Sequence, residues 1–350
     1  MEKKVIASLE KCYSIAPLHY RGADHILVAA EKTDRCILFD IEGNEEETVW
    51  NGPGGVMTMV QVPGTEGQFL ATQKFYSPND SKEAKIVIAE PKDGAWEVRT
   101  LVDLPFVHRF DILESEGKRY LIACCLKSGQ EFKDDWSMPG KVYGALLPED
   151  LSSYDGHHQL TLTVIKDGML KNHGYYRTVK EGHMSSVVCC DSGVFQFFPP
   201  TQENPQWIVE LLAEVPASDA VLIDLDGDGQ DELFVFSPFH GDTVLIYRQE
   251  SGTFQLDYEY PEKLEFLHAI WGGKIQGKEV VVAGYRRGSR NLMKFFWENG
   301  TYHAEVLDQD CGSANVYGFH RNGKDYLIST NREINEIAMY TFEGRQNGGY

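Results

Sequence analysis

Residues 218–258, "SDAVLIDLDGDGQDELFVFSPFHGDTVLIYRQESGTFQLDY", carry the clearest structural pattern of the chain. It contains four short runs rich in β-branched and aromatic residues, and Gly, Asp or Ser bounds each run, as is typical of short strands joined by turns. Residues 267–307, "LHAIWGGKIQGKEVVVAGYRRGSRNLMKFFWENGTYHAEVL", follow the same order of strand, turn, strand, polar residues, strand and turn. A unit of four short strands that recurs at this spacing predicts the blades of a propeller.

Further copies of the unit extend over the rest of the chain. Residues 315–343 repeat its first three strands, and the stretch from residue 108 repeats them with an insertion before the third strand. The corresponding first-strand positions are Met57, His108, His183, Asp219, His268 and Asn315, and an additional blade at about 13–50 brings the number of blades to seven. No segment shows a helical period over three turns.

The two ends of the chain complement each other. The last repeat stops after three strands, whereas residues 3–10, "KKVIASLE", form a strand without a repeat of its own. We therefore predict an all-β, seven-bladed β-propeller that is closed by the N-terminal strand, which leaves no long sheet edge exposed. A single domain is expected over residues 1–345, with an insertion in blade 3 at about 128–172 and a disordered tail at 346–350.

Composition restricts the class of partner. The chain has 350 residues and a net charge of −20, from 33 basic and 53 acidic residues, which opposes binding to nucleic acid. No apolar stretch is long enough for a signal peptide or a membrane span, so no membrane partner is expected. Seven cysteines without a CxxC pair predict reduced thiols in a cytoplasmic protein.

The loop "DLDGDGQDE" at 224–232 has the spacing of a hard-cation site. Oxygen ligands at positions 1, 3, 5, 7 and 9 of such a loop surround Ca²⁺ or Mg²⁺ in an EF-hand. We expect a structural cation, with a solvated acidic turn as the alternative. The predicted ligands are Asp224, Asp226, Asp228, the carbonyl of Gln230, and Glu232. The segment resembles FG-GAP and VCBS-type propeller repeats, in which this cation is structural.

The start of each first strand and the end of each second strand meet at one face of a propeller, here called the top face. The acidic loop joins two such strands at their other ends, so we expect it on the opposite face. Four histidines are assigned to the top face: His108, His183, His240 and His268. Three of them, His183, His240 and His268, come from consecutive blades and predict a Zn²⁺-type site with an open position. Imidazoles that act as general acid and base without a metal are the alternative.

Other polar residues are assigned to the same face. The predicted catalytic residues are His108, Lys127, His173, Tyr143 and Glu333. The predicted substrate-binding residues are Arg109, Asp135, Trp136, Arg286, Arg287 and Arg332. Trp136 lies in the insertion, where its ring offers a platform for a sugar, and the arginines offer cationic donors for an enolate oxygen.

Four segments together resemble the propeller of the aldos-2-ulose (1,5-anhydrofructose) dehydratase family: "DWSMPGKVYGALLP", "NHG", "DLDGDGQDELFVFSPFHGDTVLIYR" and "STNREINEIAMY". The resemblance implies a metal-dependent carbon–oxygen lyase that removes water from a keto-sugar by β-elimination, with histidines holding the metal in the propeller cleft. Two alternatives stay open: a non-catalytic carbohydrate- or protein-binding propeller, and a lyase for a 3-keto-glycoside or a uronate oligomer.

Overall fold

The computed structural model describes residues 1–33 and 35–343, and its strands form seven four-stranded antiparallel sheets. The seven-bladed β-propeller is thereby confirmed. The expected disordered tail at 346–350 lies outside the described residues. Among the described residues, no helix has the length and apolar character needed to cross a membrane.

The strands follow the chain blade by blade. The N-terminal strand is β1 (Glu2–Ser8), and blade 1 comprises β2 (Cys12–Tyr20), β3 (Ala23–Ala30), β4 (Cys36–Asp40) and β5 (Glu45–Trp50). Blade 2 comprises β6 (Met59–Gln61), β7 (Phe69–Gln73), β8 (Lys85–Lys92) and β9 (Ala95–Asp103). Blade 3 comprises β10 (Val107–Ser115), β11 (Lys118–Cys125), β12 (Gly140–Leu147) and β13 (Thr163–Met169).

The later blades have the same order. Blade 4 comprises β14 (Tyr175–Lys180), β15 (His183–Cys190), β16 (Gly193–Phe198) and β17 (Ile208–Ala213). Blade 5 comprises β18 (Asp219–Ile223), β19 (Glu232–Ser237), β20 (Thr243–Glu250) and β21 (Thr253–Glu259). Blade 6 comprises β22 (Leu267–Ile275), β23 (Lys278–Tyr285), β24 (Leu292–Glu298) and β25 (Thr301–Asp308). Blade 7 comprises β26 (Asn315–Arg321), β27 (Lys324–Asn331) and β28 (Glu336–Phe342), with a 3-10 turn at Arg332–Ile334.

Strand β1 completes blade 7. It pairs antiparallel with β28, from Glu2 opposite Thr341 to Ser8 opposite Glu336, as the sequence predicts. The ammonium of Lys3 contacts Asp308 and Glu336, each at 2.7 Å. The first and last parts of the chain are therefore joined in one sheet, and the ring is closed.

The core lies between neighbouring blades rather than inside any one of them. Second strands are almost completely buried, and their side chains pack against those of the adjacent blade. Between blades 5 and 6, for example, Phe234 and Phe236 pack with Val281 and Phe295 in one buried cluster. Since each blade depends on its neighbours for this burial, apolar contacts hold the ring together all the way round.

Blade 4 begins earlier than the sequence alone predicts. Its first strand is β14, and a two-residue turn with left-handed backbone, Glu181 (φ 52°) and Gly182 (φ 79°), leads into β15. His183 therefore starts the second strand, not the first. The stretch 128–172, expected to be an insertion, includes β12 and β13, the two outer strands of blade 3.

One backbone hydrogen bond recurs at the top face. A residue with positive φ precedes the first strand, and its carbonyl accepts an N–H from the residue 20 positions later, just after the second strand. Instances are Glu31 to Lys11 (2.9 Å), Phe75 to Gly55 (3.2 Å), Leu126 to Phe106 (3.1 Å) and Arg286 to Phe266 (3.0 Å). In blade 7 the spacing is 21, from Glu333 to Gly312 (3.4 Å). This bond ties the two top-face loops of a blade together.

Removing residues 1–8 should expose the full edge of β28 and lower the unfolding temperature clearly, because the deletion removes a whole ladder of backbone hydrogen bonds and one strand of blade 7. Thermal unfolding and size-exclusion chromatography measure the loss and the expected association through the free edge. The control is Lys3→Ala, which removes only partly exposed ion pairs and should cost about 1 kcal/mol or less. A deletion variant as stable and monodisperse as this control would contradict the role of β1 in closure.

Candidate functional site

In blades 1, 2, 3 and 6 the recurring bond precedes an axial side chain, two residues after the positive-φ residue; in blade 4 the related bond runs from Asp191 to the carbonyl of Leu170 (2.9 Å), the residue before Lys171. In four blades that axial side chain is aromatic and polar. The positive-φ residues Lys11, Phe106, Lys171 and Phe266 are followed by the axial residues Tyr13, His108, His173 and His268. His240 joins them from the loop after β19, and its own backbone is left-handed (φ 49°).

Three imidazoles converge at this point. The candidate ligand atoms of His173, His240 and His268 all lie within 4.8 Å of one another. The Nε2 atoms of His173 and His240 are 3.3 Å apart. His173 and His268 are 1% and 2% exposed, whereas His240 is partly exposed, so the cluster opens to solvent on the His240 side.

Hydrogen bonds orient the ring nitrogens. The Nδ1 atom of His268 lies 2.7 Å from the carbonyl of Ala314, and that of His108 lies 3.2 Å from the carbonyl of His173. A carbonyl only accepts, so in both rings Nδ1 carries the proton and Nε2 keeps a lone pair. The Nδ1 of His173 lies 3.0 Å from Asp219, which orients that ring in the same way. Burial raises the pKa of Asp219, but His173, Arg109 and Ser218 outweigh it, so the pKa is below its ordinary value.

The cluster has more acceptors than donors. Three lone pairs, on Nε2 of His108, His173 and His268, face inward. The donors that the described residues bring to them are the hydroxyl of Tyr13, 3.0 Å from His268 and 3.4 Å from His108, and one N–H of His240. The described residues thus bring two donors to three inward acceptors, which leaves one acceptor available to a further partner.

A divalent cation fits this set of donor atoms. Neutral imidazoles are the ligands that Zn²⁺ prefers, and binding a cation satisfies several lone pairs at once. Burial holds the pKa of His108, His240 and His268 well below its ordinary value, and neighbouring imidazoles and arginines lower it further. The rings are therefore held in the neutral form that coordinates metal.

Aromatic rings surround the open side of the cluster. The His240 ring lies between those of Phe239 and Phe266, with centroids 3.9 and 4.3 Å away. Trp136, from the loop between β11 and β12, packs edge-on against Phe239 at 5.8 Å. We call Trp136, Phe239 and Phe266 the aromatic rim. The predicted position of Trp136 at the mouth of the site agrees with the structure.

Two arginines contact the rim. The guanidinium carbons of Arg286 and Arg287 each lie 4.9 Å from the centroid of Phe266. Arg286 is paired with Glu333 at 2.8 Å, whereas no described carboxylate lies within ion-pair distance of Arg287. Arg287 is exposed.

Glu333 is an anchor for cations. Its Oε1 accepts bonds from both Arg286 (2.9 Å) and Arg332 (2.8 Å), and Arg332 also pairs with Glu31. Burial alone would raise the pKa of Glu333, but the two arginines hold it below its ordinary value. The ionised carboxylate is suited to accept a proton rather than to donate one, and the catalytic role of Glu333 stays a prediction. Arg332 is committed to the same ion-pair network and does not face the imidazoles.

Lys127 and Asp135 shape the loop that carries Trp136. The ammonium of Lys127 donates to Asn79 (2.8 Å) and to the carbonyl of Asp135 (3.0 Å), and it lies 4.6 Å from the centroid of the Trp136 ring. The carboxylate of Asp135 accepts the N–H groups of Glu131 and Ser137. These contacts hold the loop in place, and neither residue directs a free polar group at the imidazoles.

Three further assignments change with the structure. Tyr143 lies in the middle of β12 and packs in a core cluster, away from the axis. Arg109 lies in the central channel, where it donates to the carbonyl of Met57 (2.8 Å) and to Asn315 (3.2 Å). His183 is exposed at the opposite end of blade 4 and lines a cleft of about 690 Å³ between blades 4 and 5. His173, predicted as catalytic, takes the place of His183 among the candidate metal ligands.

Sequence reasoning missed Tyr13 and misplaced His183. The two-residue turn Glu181–Gly182 is a hairpin signal that would have placed β14 before it and His173 at the start of blade 4. The triplets "KCY", "FVH", "KNH" and "FLH" at 11–13, 106–108, 171–173 and 266–268 occupy equivalent positions. Their equivalence becomes visible only once the left-handed residue at the start of each is known.

The acidic loop lies at the opposite end of β18 and β19, as predicted. Ligand oxygens of Asp224, Asp226 and Glu232 lie within 4.8 Å of one another. Asp228 lies outside this group and caps its own turn, where its Oδ1 accepts the N–H of Gln230 at 2.8 Å. The role of the Gln230 carbonyl as a ligand stays a prediction.

Charge crowding in this loop favours a cation. The pKa of Glu232 is raised to about 7, and burial is the largest cause. The charge of Asp226 also raises this pKa, whereas Arg248 and backbone hydrogen bonds lower it in part. Arg248 contacts Asp226 at 2.7 Å and supplies one positive charge.

Comparison with known proteins supports the fold. The crystal structure of the Cps50 (Swd1) β-propeller domain of Myceliophteria thermophila matches 97% of this chain and 100% of that domain, with a TM-score of 0.61 and 10% sequence identity. At this identity the likeness shows the fold alone. No family model matches the chain, and a search of curated proteins returns no match.

His240→Ala should weaken Zn²⁺ binding about 100-fold or more, because it removes one of three imidazoles at an otherwise intact site. Metal content after dialysis and a competition titration measure the effect. The matched control is His183→Ala, an exposed histidine on the other face, which should bind zinc like the parent. Equal zinc affinity in the two variants, with both folded, would show that the metal site is elsewhere or absent.

Asp226→Asn should lower thermal stability and reduce any stabilisation by added Ca²⁺, because a ligand that binds only the folded state stabilises it by about 2.7 kcal/mol at 100 times its Kd. Thermal unfolding with Ca²⁺ and with a chelator measures both effects. Zinc binding at the imidazoles should stay unchanged, since the loop lies on the opposite face. An unfolding temperature that is the same in calcium and in chelator for the parent protein would argue for a solvated acidic turn.

Proposed function

We propose that this protein is a metal-dependent carbon–oxygen lyase that removes water from a keto-sugar, such as 1,5-anhydrofructose or an aldos-2-ulose, by β-elimination. The observation that carries the proposal is the convergence of His173, His240 and His268 beneath an aromatic rim. A Zn²⁺-like ion held by the three imidazoles would polarise the carbonyl of the substrate and lower the pKa of the adjacent C–H.

The rim supplies binding for a sugar ring. Trp136 and Phe239 offer apolar faces to the C–H groups of a pyranose, while Arg286 offers guanidinium N–H groups to its hydroxyls. Glu333 holds Arg286 in place, so the donor is preorganised at the mouth of the site.

His108 is the residue that we assign to proton transfer. Its Nδ1–H is donated to the carbonyl of His173, which leaves the Nε2 lone pair free to accept the proton α to the carbonyl. The same imidazole can return that proton to the departing hydroxyl, so one C–H and one C–O bond break, a C=C bond forms, and water leaves. Because His108 serves as both the base and the acid, the reaction does not need a protonated Glu333.

An acidic sugar is a second candidate substrate. Arg287 lies at the rim without a carboxylate partner among the described residues, in a chain whose net charge is −20. An unpaired guanidinium beside an otherwise paired network is suited to a carboxylate of the substrate. This observation favours a uronate or another keto-sugar acid among the lyase alternatives.

The state of the cysteines suits the proposed cytoplasmic location. All seven are buried and unpaired. Reduced thiols are the rule in reducing compartments.

Incubating the zinc-loaded protein with 1,5-anhydrofructose should produce an enone that absorbs in the ultraviolet. His240→Ala and His108→Ala should each abolish turnover, and only His240→Ala should also lose zinc, because His108 lies outside the group of three imidazoles. His183→Ala is the control and should keep full activity. Sugar binding without turnover in the zinc-loaded parent would support the non-catalytic binding propeller instead.

Arg287→Gln separates the two substrate classes. If the substrate carries a carboxylate, the variant should raise KM for the keto-sugar acid about 10-fold or more, since a charge-assisted pair is lost, with little change for a neutral keto-sugar. Steady-state kinetics with matched neutral and acidic sugars measure this. Equal KM values for parent and variant on the acid would rule out Arg287 as the carboxylate site.

A further inference from the structure

We infer that Tyr13 is a fourth protein ligand of the metal, bound through its phenolate oxygen, with Arg109 as the neighbouring counter-charge. The inference rests on the metal site of the proposed function and adds a residue from blade 1. Neither the spacing of the histidines nor any comparison points to Tyr13.

The position of the Tyr13 hydroxyl fits a ligand. Its oxygen lies 3.0 Å from Nε2 of His268, the nitrogen that faces the cluster. Ligand atoms about 2.0–2.1 Å from a common tetrahedral ion are about 3.3 Å apart, as the Nε2 atoms of His173 and His240 are, at 3.3 Å. The ring of Tyr13 meets that of His268 edge-on, at 83° and 5.4 Å between centroids, so the oxygen and Nε2 lie side by side.

Burial leaves Tyr13 few other roles. The side chain is 2% exposed, and the described hydrogen bonds of its hydroxyl go only to the rings of His268 and His108. Both of these nitrogens are acceptors, and one O–H can be donated to only one of them at a time. A cation between Tyr13 and the three imidazoles removes this conflict, because the lone pair of His268 then binds the ion and that of His108 stays free for the proton transfer assigned to it.

Arg109 is the positive charge beside Tyr13: burial raises the pKa of the hydroxyl to about 12, and Arg109 opposes only part of this rise, so the phenolate depends on the bound metal. Its guanidinium carbon lies 5.9 Å from the centroid of the Tyr13 ring, and its described hydrogen bonds go to a carbonyl and to an amide oxygen. No described carboxylate lies within ion-pair distance of it, and its charge helps to lower the pKa of the nearby Asp219. A phenolate above it would supply a nearby negative charge.

The proton balance is simple. The metal replaces the hydroxyl proton of Tyr13: the O–H bond breaks, an oxygen–metal bond forms, and the proton leaves to solvent. Metal binding is expected to release protons whenever the ligand is protonated beforehand. Three neutral imidazoles and one oxygen anion would then hold the ion, and the substrate carbonyl of the proposed function would bind as a fifth ligand from the side of His240, the partly exposed member of the cluster.

Copper(II) is the probe for this ligand. A phenolate bound to copper(II) gives a visible charge-transfer band, whereas imidazole ligands do not. The full-length protein loaded with one equivalent of copper(II) should show this band, and Tyr13→Phe should lose it while copper stays bound with an affinity about 10–100-fold lower. The matched control is Tyr317→Phe, an inner-strand tyrosine of blade 7 that lines a cavity near the opposite face and should keep the band.

Resonance Raman spectra of the copper-loaded parent provide a measurement that needs no variant. Ring-deuterated tyrosine should shift the phenolate vibrations that are enhanced within the band. Copper bound to the imidazoles without a charge-transfer band, or a band that survives in folded Tyr13→Phe, would overturn the inference and leave the three-histidine site intact. Failure of the parent and of His183→Ala to bind zinc or copper at all would overturn the proposed metal site itself.

Discussion

The site is organised by a backbone hydrogen bond that recurs in blades 1, 2, 3 and 6, with related bonds in blades 4 and 7. A carbonyl in left-handed geometry before the first strand accepts an N–H from the residue after the second strand, as in Phe266 and Arg286. A positive φ is unfavourable for a bulky residue such as phenylalanine, so the surrounding fold must stabilise it. The left-handed backbone directs the side chain of the residue two positions later toward the propeller axis.

This constraint explains why the axial residues act together although they are far apart in the chain. Tyr13 and His268 are 255 positions apart, and their side chains meet at 3.0 Å. Closure of the ring by β1 is what brings blade 1 next to blade 7 and holds Tyr13 at the axis. The fold thus converts a local turn geometry, repeated in several blades, into a cluster of polar groups with apolar surroundings.

The electrostatics of the two faces differ. At the top face, burial favours the neutral form of His240 and His268, and Glu333 pairs with two arginines in a chain that is otherwise strongly acidic. At the opposite end of blade 5, carboxylates crowd one another, and Arg248 compensates only part of their charge. Both ends of blade 5 are therefore suited to bind a cation. The ligand atoms are nitrogens at the top face and oxygens at the opposite face.

From the amino-acid sequence alone we predict the number of blades, the pairing of β1 with β28, the position of the acidic loop and the presence of histidines at the top face. These features follow from local patterns, because strand periodicity, turn residues and ligand spacing each involve residues that are close together in the sequence. Which histidines converge depends on contacts between distant parts of the chain. His183 and His173 are ten positions apart on opposite ends of β14, and the hairpin turn between them determines which one reaches the axis. Tyr13 carries no metal-binding motif at all, and only ring closure brings its hydroxyl to His268.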